Sequence, residues 1–296
     1  MKQKRIQLAN GIELDVADEG PKDGEPLIFL HGFPENHRTW RHQIAHFSAK
    51  GYRCVAPDQR GYRGSSKPQQ VDAYSPDKLI GDVFLLADAL GIETFTIVGH
   101  DWGGAIAWGV ALGGQHTRVT QAVIANAPHP AIFQKLLYTH QGQREASQYI
   151  TGFRNHSNDQ LIRERGLTGL MLQEVKWDKP GAMPSEERAI LLKDWEDREA
   201  AFGMINYYRA SQMVVPSMDE PFQLPNDYSA PDLPKLTIPT LVIWALDDLA
   251  LPPENLEGME DIIEPLIIEP VPGCGHFVPW EAPEKVIAAM EKFLAT

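Results

Sequence analysis

The stretch Phe95-Thr96-Ile97-Val98-Gly99-His100-Asp101-Trp102-Gly103-Gly104-Ala105 constrains this chain more than any other. A β-branched apolar run stops at Gly99, and an Ala/Gly-rich helical stretch begins just after Asp101. The pattern predicts strand, sharp turn and helix, with a carboxylate at the apex. Small residues at Gly99, Gly103 and Gly104 let the turn close and let the helix start approach the strand. Asp is also a favoured N-cap, so a plain capping role is the bland reading of Asp101. The flanking glycines are more than a cap requires.

On either side of this unit, strands and helices alternate. The runs 5–9 and 12–17 read as a hairpin joined by Asn10-Gly11. Leu27-Ile28-Phe29-Leu30 is wholly apolar, as a strand buried on both faces of a parallel sheet should be. A helix over 37–50, a strand over 53–56, a Gly/Ser/Pro-rich loop over 59–76 and a helix over 77–90 follow, then a strand over 119–125. From about 128 to 223 strands vanish, helical spacing dominates and aromatic residues crowd in. A proline-punctuated segment, 221–239, leads back to strands over 240–245 and 265–270 and a closing helix over 283–294. The expected fold is α/β: a mostly parallel central sheet flanked by helices. Residues 1–128 and 224–296 would form the core domain, and 129–223 an inserted helical cap over one end of the sheet.

The formal net charge of -13 argues against nucleic acid and anionic membrane as partners, since both attract basic surface. Two cysteines, Cys54 and Cys274, and no apolar leader or membrane-length apolar run predict a reduced, soluble, cytoplasmic chain, monomer or homodimer. Ten histidines are present without a zinc-ligand spacing, so neither metal nor cofactor is expected.

Three groups fall just beyond predicted strands, where α/β sheets build their sites. They are Asp101, Asp248 after Leu241-Val242-Ile243-Trp244, and His276 in Pro272-Gly273-Cys274-Gly275-His276-Phe277. Asp247 is the rival for the second acid, one residue nearer its strand. A carboxylate needs no base to activate it and can displace a leaving group at saturated carbon, forming an alkyl ester. Water deprotonated by His276 would attack that ester, with Asp248 fixing the imidazole tautomer. The backbone N–H groups of Phe33 and Trp102 are the candidate oxyanion donors.

Three stretches resemble the epoxide hydrolase branch of the α/β-hydrolase superfamily, which is related to the haloalkane dehalogenases. They are His31-Gly32-Phe33-Pro34, Gly99-His100-Asp101-Trp102-Gly103-Gly104 and Gly275-His276. The likeness runs through nearly the whole chain. It implies a nucleophile elbow at Asp101 and two cap tyrosines that protonate the epoxide oxygen. Asn206-Tyr207-Tyr208-Arg209 matches the family's cap signature at Tyr208, and Tyr149 is the best match for the second tyrosine, without the usual proline-containing continuation. The resemblance implies a small apolar substrate, bordered by Phe33, Trp102, Tyr149 and Tyr208. In Asp58-Gln59-Arg60-Gly61-Tyr62-Arg63-Gly64, Arg63 stands where the family has glycine, so a positive φ there would strain it. His31, His100 and His129 read as structural.

Two other readings use the same residues. A haloalkane dehalogenase would need two N–H donors around halide, from the Trp102 indole and from Trp177 or Trp195. A ligand receptor on the same fold would bind without turnover.

Overall fold

A computed structural model describes residue 1 and residues 3–175 and 183–295. Eight strands form one sheet: β1 (Gln3–Gln7), β2 (Glu13–Glu19), β3 (Pro26–Leu30), β4 (Arg53–Pro57), β5 (Phe95–His100), β6 (Val119–Ala125), β7 (Thr240–Ala245) and β8 (Leu266–Val271). Their spatial order is β1-β2-β4-β3-β5-β6-β7-β8. β2 pairs antiparallel with both β1 and β4, and every pairing from β4 to β8 is parallel.

The parallel strands are apolar throughout because both faces are covered. Residues alternate between faces with period two. Ile28, Ile97, Ile124 and Val242 join one core cluster, and Leu27, Val98, Val123 and Leu241 join the other. The first face is covered by α2 (Pro76–Ala89) and α3 (Trp102–Gly114), through Leu79, Val83, Ile106 and Trp108. The second is covered by α1 (Arg41–Ala49) and α12 (Pro283–Leu294), through Ile44, Phe47, Val286 and Met290. Each such side chain, fully buried, contributes about 1.5–3 kcal/mol.

Between β6 and β7 the chain forms α4 (Pro130–Thr139), α5 (Gln141–Ala146), α6 (Tyr149–Arg154), α7 (Asp159–Glu174), α8 (Ser185–Glu196) and α9 (Arg198–Ala210). Two short helices, α10 (Met259–Ile262) and α11 (Val278–Glu281), flank β8. Arg144 in α5 is fully buried and clasps the segment returning from this block. Its guanidinium donates to the carbonyls of Leu137, Ser217, Glu220 and Pro221 at 2.7–3.2 Å.

Two local expectations change. The hairpin connection is longer than Asn10-Gly11, because Gly11 alone takes positive φ (85°). The Leu8 carbonyl accepts from Gly11 N–H and Leu8 N–H donates to the Ile12 carbonyl, a tight turn with a glycine bulge. The expected helix over 37–50 begins as a 3-10 turn, His37–Trp40, because the Asn36 side chain accepts the Arg38 N–H and starts the turn early. Among the described residues no helix is long and apolar enough to cross a membrane, and Cys54 and Cys274 are unpaired, buried thiols.

Candidate active site

The turn after β5 holds Asp101 at φ 50°, ψ -122°, a conformation L-residues rarely adopt. Closure of the turn depends on missing side chains. A Cβ on Gly103 would lie 2.3 Å from the Leu30 carbonyl oxygen and 2.5 Å from that of His31, so only glycine lets α3 start against the end of β3. A Cβ on Gly32 would lie 2.5 Å from Asp101 Cβ and 2.7 Å from its Oδ1. That bare backbone lets the Phe33 N–H donate to Asp101 Oδ1 at 2.6 Å. Asp101 precedes α3 but makes no side-chain capping bond of the usual kind. Its carboxyl turns instead to the Phe33 N–H, with the Trp102 backbone N–H beside it.

The other carboxyl oxygen, Oδ2, lies 3.5 Å from His276 Nε2. The opposite ring nitrogen, Nδ1, donates to Asp248 Oδ2 at 2.7 Å. Asp248 is fixed in turn: Oδ1 accepts the N–H groups of Ala250 and Leu251, and Oδ2 accepts the Asn126 amide at 2.7 Å. Asp248 is buried and Asp247 exposed, so Asp248 is the acid that faces the imidazole. The side chains of Asp101 and His276 keep 16% and 18% exposure, enough for a small molecule to meet them.

The electrostatics favour an ion pair. Burial opposes charge on His276, but the carboxylates of Asp248 and Asp101 raise its pKa well above that of free imidazole. Burial would also raise Asp101, yet the hydrogen bond and charge of His276 hold it below the usual carboxylate range. Behind the imidazole, His100 Nε2 donates to the His276 carbonyl at 2.8 Å, and burial pushes His100 down to about 4. Glu35, pushed up to about 7 by burial, accepts the Trp280 indole N–H at 2.6 Å. His31 accepts the Gln59 N–H, and His129 packs edge-on to Trp108.

An aromatic group from α6 and α9 faces this site. Tyr208 of α9 packs edge-on to Phe33 and Trp102, with centroids 5.1 Å away in both cases. Tyr149 of α6 packs edge-on to Tyr208, with ring centroids 6.0 Å apart. Both phenols are pushed upward by burial first and by the negative charge of Asp101 as well. Tyr207 turns the other way and donates to the Arg60 carbonyl at 2.8 Å. The Trp195 indole donates to the Pro34 carbonyl at 2.9 Å, so it does not point as a halide donor. Trp177 lies outside the described residues. Arg63 does adopt positive φ (43°).

Asn126 and Glu35 escaped the sequence reading. Asn126 directly follows β6, so the rule that located the acid and the histidine, polar groups at carboxyl ends of strands, would have found it. Among the described residues, no group of three or more His, Cys, Asp or Glu side chains could hold a metal ion.

A family model described as the alpha/beta hydrolase fold matches residues 25–283. Epoxide hydrolase 1 of Caenorhabditis elegans is 31% identical over 96% of this chain and 68% of that protein. Epoxide hydrolase 3 of Mus musculus is 30% identical over 97% of this chain and 75% of that protein. A solved structure from work on epoxide hydrolases in metagenomes from hot environments is 73% identical, with a TM-score of 0.97 over 99% of this chain and 98% of that one. A mutant epoxide hydrolase from Bacillus megaterium, complexed with its product (R)-3-[1]naphthyloxy-propane-1,2-diol, is 29% identical, with a TM-score of 0.85 over 99% of this chain and all of that one. The chain belongs to the alpha/beta hydrolase fold family and, within it, to the epoxide hydrolases.

Proposed function

We propose that the protein hydrolyses epoxides to vicinal diols through an alkyl ester on Asp101. The observation carrying this reading is one carboxyl held between unlike partners, with Oδ1 on the Phe33 N–H and Oδ2 toward His276 Nε2. Oδ2 is therefore the nucleophile. It attacks an epoxide carbon and the C–O bond of the ring breaks. The leaving alkoxide takes a proton from the hydroxyl pair of Tyr149 and Tyr208, because an alkoxide is a poor leaving group until an acid meets it.

Esterification removes the negative charge of Asp101. His276 then loses one of the two carboxylates that hold its proton, its pKa falls, the proton passes to the tyrosinate left by ring opening, and the neutral imidazole becomes a base. It takes a proton from water as the hydroxide adds to Cγ. The oxyanion forms on Oδ1, facing the backbone N–H groups of Phe33 and Trp102. Collapse expels the glycol oxygen, which takes the proton back from His276. The second water proton passes from the Asp101 carboxyl to His276, which restores the ion pair, and the sum is epoxide plus water to diol. Asp248, held by Asn126 and two backbone N–H groups, orients the imidazole throughout.

Phe33, Trp102, Tyr149 and Tyr208 would border the substrate, which favours an apolar, aryl-bearing epoxide. The naphthyloxy diol bound by the Bacillus megaterium relative supports that class. Residues 129–223 act as the cap, and we place the protein in the cytoplasm. The dehalogenase reading is disfavoured by the engagement of the Trp195 indole with the Pro34 carbonyl. Release of diol from a styrene-type oxide tests the proposal. Halide from a bromoalkane without diol would favour the dehalogenase, and tight binding without either product the receptor. Tyr208→Phe should slow ester formation about 10²-fold. An unchanged single-turnover rate would remove Tyr208 from the mechanism.

A further inference from the structure

Arg63 carries a strained backbone that the reaction above leaves unexplained. Its φ of 43° is costly for a residue with a Cβ, and glycine would occupy the turn freely. Its side chain reaches two carboxylates from different parts of the fold. The guanidinium Nε lies 3.3 Å from Asp194 Oδ1 in α8 and 4.0 Å from Asp58 Oδ2 in the core. Both acids grip the short loop that contains Phe33. Asp58 Oδ1 accepts the His37 N–H at 2.9 Å and faces His37 Nδ1 at 2.8 Å. Asp194 Oδ2 accepts the Asn36 amide at 2.8 Å, and the next residue, Trp195, donates to the Pro34 carbonyl.

We propose that Arg63 is a positioning residue for the oxyanion donor Phe33: its guanidinium keeps Asp58 and Asp194 side by side, so core and cap hold the loop together. The inference rests on the epoxide-opening reading of the site. Without the guanidinium, Asp194 loses its cation while Asp58 stays held by Gln3 and His37, the two largely buried carboxylates repel, and α8 has reason to leave residues 34–36. Other cations on this side are committed elsewhere: Arg38 and Arg41 face Glu187, and Lys67 faces Asp197. Burial pushes the Asp194 carboxyl up to about 6, with Asp58 adding to that rise and Arg63, Asn36 and His37 opposing it. Loss of Arg63 removes an opposing charge and raises the Asp194 carboxyl further, so the repulsion is felt at alkaline pH and fades as the pH falls and Asp194 takes up a proton.

The test is a double-mutant cycle of Arg63→Met and Asp194→Asn, assayed for epoxide turnover beside wild type. At pH 8, Arg63→Met should lose about tenfold in kcat/KM, and adding Asp194→Asn should restore it to within about threefold of wild type. Arg63→Lys should keep most of the activity, and the deficit of Arg63→Met should narrow toward pH 5.5. Wild-type kcat/KM in Arg63→Met at pH 8, or no recovery in the double variant, overturns the proposal. If Arg63→Met does not fold, the double variant is compared with Asp194→Asn, and a gap larger than threefold overturns it. Absence of epoxide turnover by wild type would instead remove the underlying reading of the site.

Discussion

Asp101→Asn is expected to abolish epoxide turnover, lowering kcat by about 10⁴-fold or more. The amide keeps an oxygen that can accept the Phe33 N–H, so the elbow and its stability should survive. What it loses is the negative charge and the free lone pairs at Oδ2 that form the new C–O bond. The same change removes one of the two carboxylates that raise His276, so the imidazole pKa should fall, which proton NMR of the ring can follow. Residual turnover within about tenfold of wild type, in a preparation free of back-converted Asp, would contradict a nucleophilic role.

His276→Gln should separate the two half-reactions. Ester formation needs only the carboxylate and the tyrosines, so epoxide should still be consumed, one equivalent per enzyme. Ester hydrolysis needs a base at Nε2, 3.5 Å from the carboxyl oxygen, and should slow by about 10²–10⁴-fold. The expected result is a burst of epoxide loss, little diol, and a protein heavier by the mass of the epoxide. A uniform slowing of both steps without accumulating adduct would mean that His276 acts before, or not in, ester hydrolysis.

The parts of this site that were legible beforehand owe it to local geometry. A strand running straight into a helix demands glycine at 99, where a Cβ would lie 2.4 Å from the Gly103 carbonyl oxygen, while Gly103 and Gly104 make room for the end of β3 and for Ala127. Asp101, Asp248 and His276 were legible because polar residues just past apolar strands converge at one end of a parallel sheet. Tyr149 and Tyr208 came from resemblance alone, since aromatic side chains in a helical block read equally well as packing. Other features lay beyond a linear reading. Arg144 binds carbonyls some 70 residues downstream, at 217–221. Arg63 stands out in the sequence as a departure, but its reach to Asp194 depends on how α8 folds back toward the sheet. The glycine at position 11 was legible as a turn, yet whether one or two residues take positive φ is decided by how the strands pair.

Which oxygen enters the product first separates the ester route from direct attack by water. A single turnover with enzyme in excess over an aryl epoxide, run in ¹⁸O-labelled water, reads this directly. The mechanism predicts a diol whose new oxygen is unlabelled, because it comes from Oδ2 of Asp101, and a peptide containing Asp101 that gains one ¹⁸O. Label appearing in the diol during that first turnover, with the Asp101 peptide unchanged, would mean that water attacks the epoxide directly and would contradict the account.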